Sequence, residues 1–356
     1  MGRLTPHRLP VPDFYDASNA GSWSYRPDAG KLFEEAGAFR TQHGVRPAGS
    51  DKKRLHLLLI DVQRDFCFPE GTLYVGGRSG RGAIDDSDRV ARFIYQNLDL
   101  LTEVTCTLDT HFPYQIFFPS FWLDGNDRPL GPHREITTDD IRKGTVKPNP
   151  AVTWWVCNGD YPWLLRQVEF YCSELEKTGK YKLYLWPPHC LLGGDGHALA
   201  GVVQEARLFH AFVRGSKNWI EVKGGNPLTE NYSVLAPEVL MRHDGQPLAQ
   251  RNAPFIKTLL DADAVIIAGQ AASHCVKSSI DDLLSEIRAR DAKLASRVYI
   301  LADCMSAVTV PDASRPGSFL FDFTPQAEAA LQRFAAEGMN VVRSTDPIAA
   351  WPGMRI

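Results

Sequence analysis

"DADAVIIAGQAASHCVKSSIDDLL", residues 261–284, joins a short apolar run to a helical one through a turn of small residues. Val265, Ile266 and Ile267 give "DADAVIIAG" the length and β-branched character of a buried strand. After the turn, Val276, Ile280, Leu283 and Leu284 recur at helical spacing. Small residues let the backbone bend tightly beside Cys275, which falls at the expected start of the helix. The positive end of a helix dipole favours a thiolate there. His274 is next to it, but adjacent residues of a turn or helix point in divergent directions, so this ring is a poor base for the Cys275 sulfur.

The same rhythm extends outward from this stretch. Buried strands are expected at 55–60, 103–108, 182–186, 264–269, 298–302 and 340–344. Helical runs separate most of them, among them "SDRVARFIYQNLDLL", "YPWLLRQVEFYCSELEKTG", "HALAGVVQEARLFHAFV" and "PQAEAALQRFAAEG". Alternating strands and helices predict an α/β fold of three layers, α/β/α, around a mainly parallel six-stranded Rossmann-like sheet. Residues 1–53, rich in Pro, Gly, Ser and charge, read as an N-terminal extension wrapped on the surface or used between subunits. Residues 54–356 form the domain, and 112–158, rich in Pro, Gly, Trp and Phe, is too long for a plain connection and reads as an inserted lid or arm. The aromatic residues Phe117, Phe118, Phe121 and Trp122 are expected mostly to make that insertion's own core.

Composition narrows the functional classes. A formal net charge of −3 without a basic block argues against nucleic acid as a partner. Seven scattered cysteines without CxxC pairs fit neither a disulfide scaffold nor a zinc ribbon, and suggest a reducing compartment. The first residues lack the apolar core of a signal peptide, and no apolar stretch is long enough to span a membrane. A soluble cytoplasmic protein that acts on a small molecule, as a homo-oligomer, is the expectation.

In open α/β sheets ligands bind beyond the carboxyl ends of the strands, and several strands here end in reactive groups. The first runs into "DVQRDF", which places Asp61 at its tip. The second ends in "DTH", with Asp109 and His111 on one face of a strand extension, half of a metal site or a plain His–Asp pair. "WPPHC" supplies His189 and an aromatic wall in Trp186, and "IEVKGG" places Lys223 at the end of another short strand-like run. Convergence of a carboxylate, a lysine, a cysteine and an Asp–His–His set on one sheet edge points to catalysis. "GGRSGRGAIDDSD" (76–88) does not match a nucleotide-binding glycine pattern and reads as a flexible loop. Cys67, Cys106, Cys157, Cys172, Cys190 and Cys304 read as small packing residues.

Five motifs in order resemble the nicotinamidase branch of the isochorismatase-like cysteine hydrolases, over most of residues 55–310. They are "LLLIDVQRDFCFPEGTLYVGG", "LDTHFP", "WPPHC", "VKGGNPLTENYS" and "AGQAASHCVKSSIDDL". The resemblance implies a catalytic triad of Asp61, Lys223 and Cys275, and metal ligands Asp109, His111 and His189. It implies Phe66 and Trp186 as walls for a flat substrate ring. It also implies a cis peptide at Gln270–Ala271 that aims the amides of Ala271 and Cys275 into an oxyanion hole. Many members carry another His shortly after the D-x-H pair, where this chain has Gln115.

The activity implied is hydrolysis of nicotinamide to nicotinic acid and ammonia through a thioester. A divalent metal ion, zinc with manganese or iron as alternatives, would orient the substrate. A different small amide, ureide or carbamoyl substrate is the nearest alternative. A ligand-binding protein that keeps the pocket without turnover is the alternative from another class.

Overall fold

The computed structural model describes residues 8–178 and 181–354. The first seven residues of the expected extension lie outside that range. Six strands form the central sheet: β1 (Leu55–Ile60), β2 (Glu103–Asp109), β3 (Ile220–Lys223), β4 (Ala264–Gly269), β5 (Val298–Leu301) and β6 (Asn340–Val342). Their spatial order is β6-β5-β4-β1-β2-β3, every neighbouring pair parallel. The chain builds outward from β1 to β3, then returns to lay β4 on the other side of β1. That reversal makes the carboxyl ends of β1 and β4 the switch point beside which ligands bind in open α/β sheets.

Alternation along the strands supplies two cores. Leu57 and Leu59 of β1 join Ile266 and Ala268 of β4 on one face, and Leu58 and Ile60 join Val265 and Ile267 on the other. Helices α1 (Ala29–His43), α2 (Gly82–Gln96), α3 (Tyr161–Thr178) and α4 (Gly201–Arg214) contribute to the first core, and α5 (Ala253–Leu260), α6 (Cys275–Arg290) and α7 (Thr324–Ala336) to the second. The architecture is therefore α/β/α around a parallel six-stranded sheet. Val276, Ile280, Leu283 and Leu284 are the buried face of α6, as their spacing predicts. Residues within 8–53 join the first core. Asp28 caps α1 through the amides of Gly30 and Lys31, and Leu32, Ala36 and Phe39 pack its buried stripe toward α4.

One expected strand lies elsewhere. Leu183–Leu185 pairs antiparallel with Arg134–Ile136 in a separate ribbon, while Ile220–Lys223 takes the free edge of β2. All three residues of 183–185 are buried. Their apolarity marks them as interior without saying which strand they pair with.

The run 76–88 is also not a loop throughout. Helix α2 starts at Gly82, whose added Cβ would fall 2.4 Å from Ser306 Oγ, so the helix begins in close packing. Among the described residues no helix is long and apolar enough to cross a membrane.

Candidate active site

Asp61 follows β1 directly and is fully buried, with φ of 47°. Asp tolerates this left-handed conformation better than most residues. Its amide donates to Thr107 Oγ1 at 2.9 Å, and the Thr107 hydroxyl donates to Asp61 Oδ1. Thus β2 fixes the carboxylate that ends β1. The other oxygen, Oδ2, has no aligned hydrogen bond, but the Lys223 ammonium stands 2.9 Å away.

Lys223 ends β3 in register with Asp109 of β2, so their side chains leave the sheet together. Its Nζ donates to Asp109 Oδ1 and to Asn231 O, both at 2.9 Å, and lies 3.7 Å from Cys275 Sγ. Burial alone would lower its pKa, but the charges of Asp109 and Asp61 and the nearby Cys275 hold it well above the usual lysine range. The ammonium is therefore permanent and joins two carboxylates to the sulfur.

Cys275 is the first residue of α6 and is buried. Burial raises the thiol pKa well above its usual value, Lys223 offsets that in part, and Asp61 and Asp109 add to the rise. Desolvation beside two carboxylates thus opposes the thiolate that Lys223 favours. Burial likewise raises the Asp61 pKa, opposed by Lys223. Burial thus pushes both Cys275 and Asp61 toward their protonated forms, and Lys223 opposes the shift in each.

On the other side of Lys223, Asp109, His111 and His189 bring their ligand atoms within 4.8 Å of one another, all buried. Asp109 Oδ2 lies 2.9 Å from His111 Nε2 and 3.7 Å from His189 Nε2. His189 turns Nδ1 to Pro187 O at 2.8 Å, and His111 turns Nδ1 toward Gly224 O at 3.3 Å. Both imidazoles thus direct Nε2 inward. His111 Nε2 makes no aligned hydrogen bond although Asp109 Oδ2 stands 2.9 Å away, a pairing that a shared cation would also satisfy. A donor set of two imidazoles and one carboxylate fits zinc, manganese or iron. Asp109 is held well below the usual carboxylate range: burial pushes it up, and His111 and Lys223 pull it down further.

Several supporting residues carry no signal in their type alone. Gln63 locks the ends of β1 and β2 by donating to Asp109 O at 2.8 Å and accepting from Asp109 N at 2.7 Å. At Gly224, with φ of 86°, a Cβ would fall 2.6 Å from His111 Cε1 and 2.8 Å from Asp109 Oδ1. Asp65 accepts from the Cys190 amide at 2.7 Å and so ties the end of "WPPHC" to the turn after β1. Asp86 of α2 accepts from Gln270 Nε2 at 2.9 Å and from Ser306 Oγ at 2.7 Å, which pins the turn before Cys275. The Asp-rich run 85–88 was the only trace of that anchor in the chain, and its glycine-rich setting hid it.

The peptide Gln270–Ala271 is cis. Amides of Ala272, His274 and Val276 are used within the fold, on Ser306 O and Ala271 O. Phe66 lies beside His189, ring centroids 5.4 Å apart. Trp186 meets the His274 ring edge-on at 5.2 Å and donates Nε1 to the Tyr232 hydroxyl at 2.7 Å. His274 sits among Trp186, Tyr232 and Phe323, with Nδ1 on Ser273 Oγ at 2.8 Å. Gln115 donates to Gly224 O at 2.8 Å behind His111, and Phe117 and Phe118 set their rings edge-on to His111 at 4.9 and 5.7 Å. Segment 112–158 therefore backs the histidines as well as making a core of its own.

No protein-family model matches the chain, and no curated protein matches it. Among solved structures, it is similar to a nicotinamidase/pyrazinamidase from Acinetobacter baumanii at 18% identity, covering 83% of this chain and 99% of that one with a TM-score of 0.48. It is similar to yeast nicotinamidase bound to the inhibitor nicotinaldehyde at 17% identity, covering 81% and 99% with a TM-score of 0.47. A pyrazinamidase of Pyrococcus horikoshii in complex with zinc is similar at 17% identity, covering 82% and 99% with a TM-score of 0.42. These three are nicotinamidases and pyrazinamidases, of the family that the chain's own motifs resemble.

Proposed function

We propose that the chain is a cysteine amidohydrolase of nicotinamidase type, converting nicotinamide to nicotinic acid and ammonia. The observation that carries this reading is the position of Lys223 Nζ, 2.9 Å from Asp61 Oδ2 and 3.7 Å from Cys275 Sγ, beside a buried Asp–His–His set. In the same reading residues 54–356 are the hydrolase domain, 1–53 an N-terminal extension and 112–158 an insertion.

Each residue then has a task. Asp61 takes the thiol proton as Cys275 Sγ attacks the amide carbonyl carbon, so a free thiolate need not accumulate. Lys223 keeps its proton, steadies Asp61 and offsets the charge that develops on sulfur. Amides of Ala271 and Cys275 donate to the oxyanion of the tetrahedral intermediate. Asp61 returns the proton to the departing nitrogen, ammonia leaves, and a thioester remains on Cys275. Water, deprotonated by Asp61, attacks that thioester, and the acid departs as Cys275 recovers its proton. Phe66 and Trp186 wall the substrate ring. Asp109, His111 and His189 would hold a divalent ion, which supplies a Lewis-acid contact for a ring nitrogen.

The test is ammonia release from nicotinamide by wild type and Cys275→Ala, with and without a chelator. Release by wild type alone supports the reading. Release from other small amides or ureides with nicotinamide inert would replace the substrate, and no release from any would remove the activity.

A further inference from the structure

Glu230 lies in "LTENYS", seven residues beyond Lys223, and is buried, with Oε1 lacking a hydrogen-bond partner. The Tyr171 hydroxyl of α3 clamps it twice, accepting from the Glu230 amide at 2.9 Å and donating to Oε2 at 3.3 Å. The next residue supplies Asn231 O, a hydrogen-bond acceptor for Lys223 Nζ. The residue after that is Tyr232, whose hydroxyl accepts from Trp186 Nε1 and also faces the Glu230 carboxyl. One turn of three residues thus touches the ammonium and the aromatic wall.

We propose that Glu230 is a positioning residue: by holding the 230–232 turn it sets both the carbonyl that receives Lys223 and the phenol that fixes Trp186. Its effect on substrate binding rests on the nicotinamidase-type reading, whereas its effect on Lys223 does not. The carboxyl acts in its neutral form. Burial pushes its pKa up to about 8, and the groups that face it are Tyr171 and Cys172 of α3, Tyr181, Tyr232, Glu238 and, farther off, Asp109. All are acids, so any charge they carry opposes ionisation of Glu230. A neutral acid also leaves the buried, unpartnered oxygen uncharged.

The experiment follows nicotinamide KM and kcat between about pH 6 and 9, and the rate of Cys275 alkylation by iodoacetamide, read by peptide mass. The neutral isostere Glu230→Gln keeps wild-type values at neutral pH and lacks the rise in KM that wild type shows above about pH 8. Glu230→Ala and Tyr232→Phe raise KM about five-fold, the effect of one lost hydrogen bond, with kcat changed less. Glu230→Ala also slows Cys275 alkylation about three-fold or more, because a displaced Lys223 favours the thiolate less.

Wild-type KM and alkylation in Glu230→Ala overturn the proposal, as does a Glu230→Gln pH profile that superimposes on wild type. If Glu230→Ala does not fold, Glu230→Gln decides by its profile. If wild type hydrolyses no nicotinamide, the reading of its function falls, and alkylation alone decides this one.

Discussion

Asp109 and Lys223 stand opposite each other at the ends of β2 and β3, in register, with Nζ 2.9 Å from Oδ1. The remaining oxygen of Asp109 faces both histidines. A single carboxylate therefore belongs to the candidate catalytic centre through one oxygen and to the candidate metal centre through the other.

Lys223→Met follows from that arrangement. It leaves Asp61 and Asp109 buried without their shared cation, and breaking a buried pair typically costs about 3–5 kcal/mol. Urea unfolding is expected to show a loss of this size, partly recovered when Asp61→Asn is added. A Lys223→Met protein as stable as wild type contradicts the assignment.

Cys275→Ala removes the sulfur and little else, because the side chain is buried and the turn is anchored through Gln270. Hydrolysis is expected to fall by about 10⁴-fold or more, with the circular dichroism spectrum and unfolding midpoint nearly unchanged. Residual turnover within ten-fold of wild type would falsify the nucleophile assignment.

Gly224→Ala tests the candidate metal centre from its blind side. The new methyl would press on His111 and Asp109 at a positive φ that alanine resists. Affinity for zinc or manganese, measured by competition with a chromophoric chelator, is expected to drop about 10–100-fold. Equal affinity in the two proteins means that Asp109 and His111 do not ligate the ion.

His274→Phe separates proximity from participation. Folding holds this imidazole neutral, with burial lowering its pKa from 6.5 to about 4. The unfolded chain therefore binds the proton more readily between those values. Its contribution to stability is complete above about pH 6.5 and is lost as the pH falls toward 4. Phenylalanine fits the aromatic surroundings, so the variant is expected to lose less stability on acidification, by about 1–3 kcal/mol. Its turnover at neutral pH should stay within about three-fold of wild type, whereas a general base would lose about 10²-fold or more.

How much of this was legible depended on whether residue type or geometry carries the message. Asp61, Asp109, Lys223 and Cys275 announce themselves as reactive groups at the ends of apolar runs. Parallel strands with helical crossovers bring such ends to one edge whatever their separation in the chain. Gln63 and Gly224 are ordinary residues that matter through a hydrogen bond and an absent methyl, neither of which has a linear pattern. The pairing of 183–185 was misread because burial is encoded in apolarity and strand partnership is not. The opposing pull of burial on Cys275 was hidden for a related reason: a helix terminus is local, whereas desolvation is the sum of everything packed around it.

The reversal that lays β4 beside β1 also sets when reactivity can arise. Asp61, Lys223 and Cys275 are separated by 162 and then 52 residues of chain (223 − 61 and 275 − 223). Contacts of such long range form slowly and depend on a sheet that is already in place. A polypeptide still emerging from the ribosome, or one that has lost its tertiary packing, holds Cys275 remote from Asp61 and Lys223. The proposed triad is thus a property of the finished molecule alone.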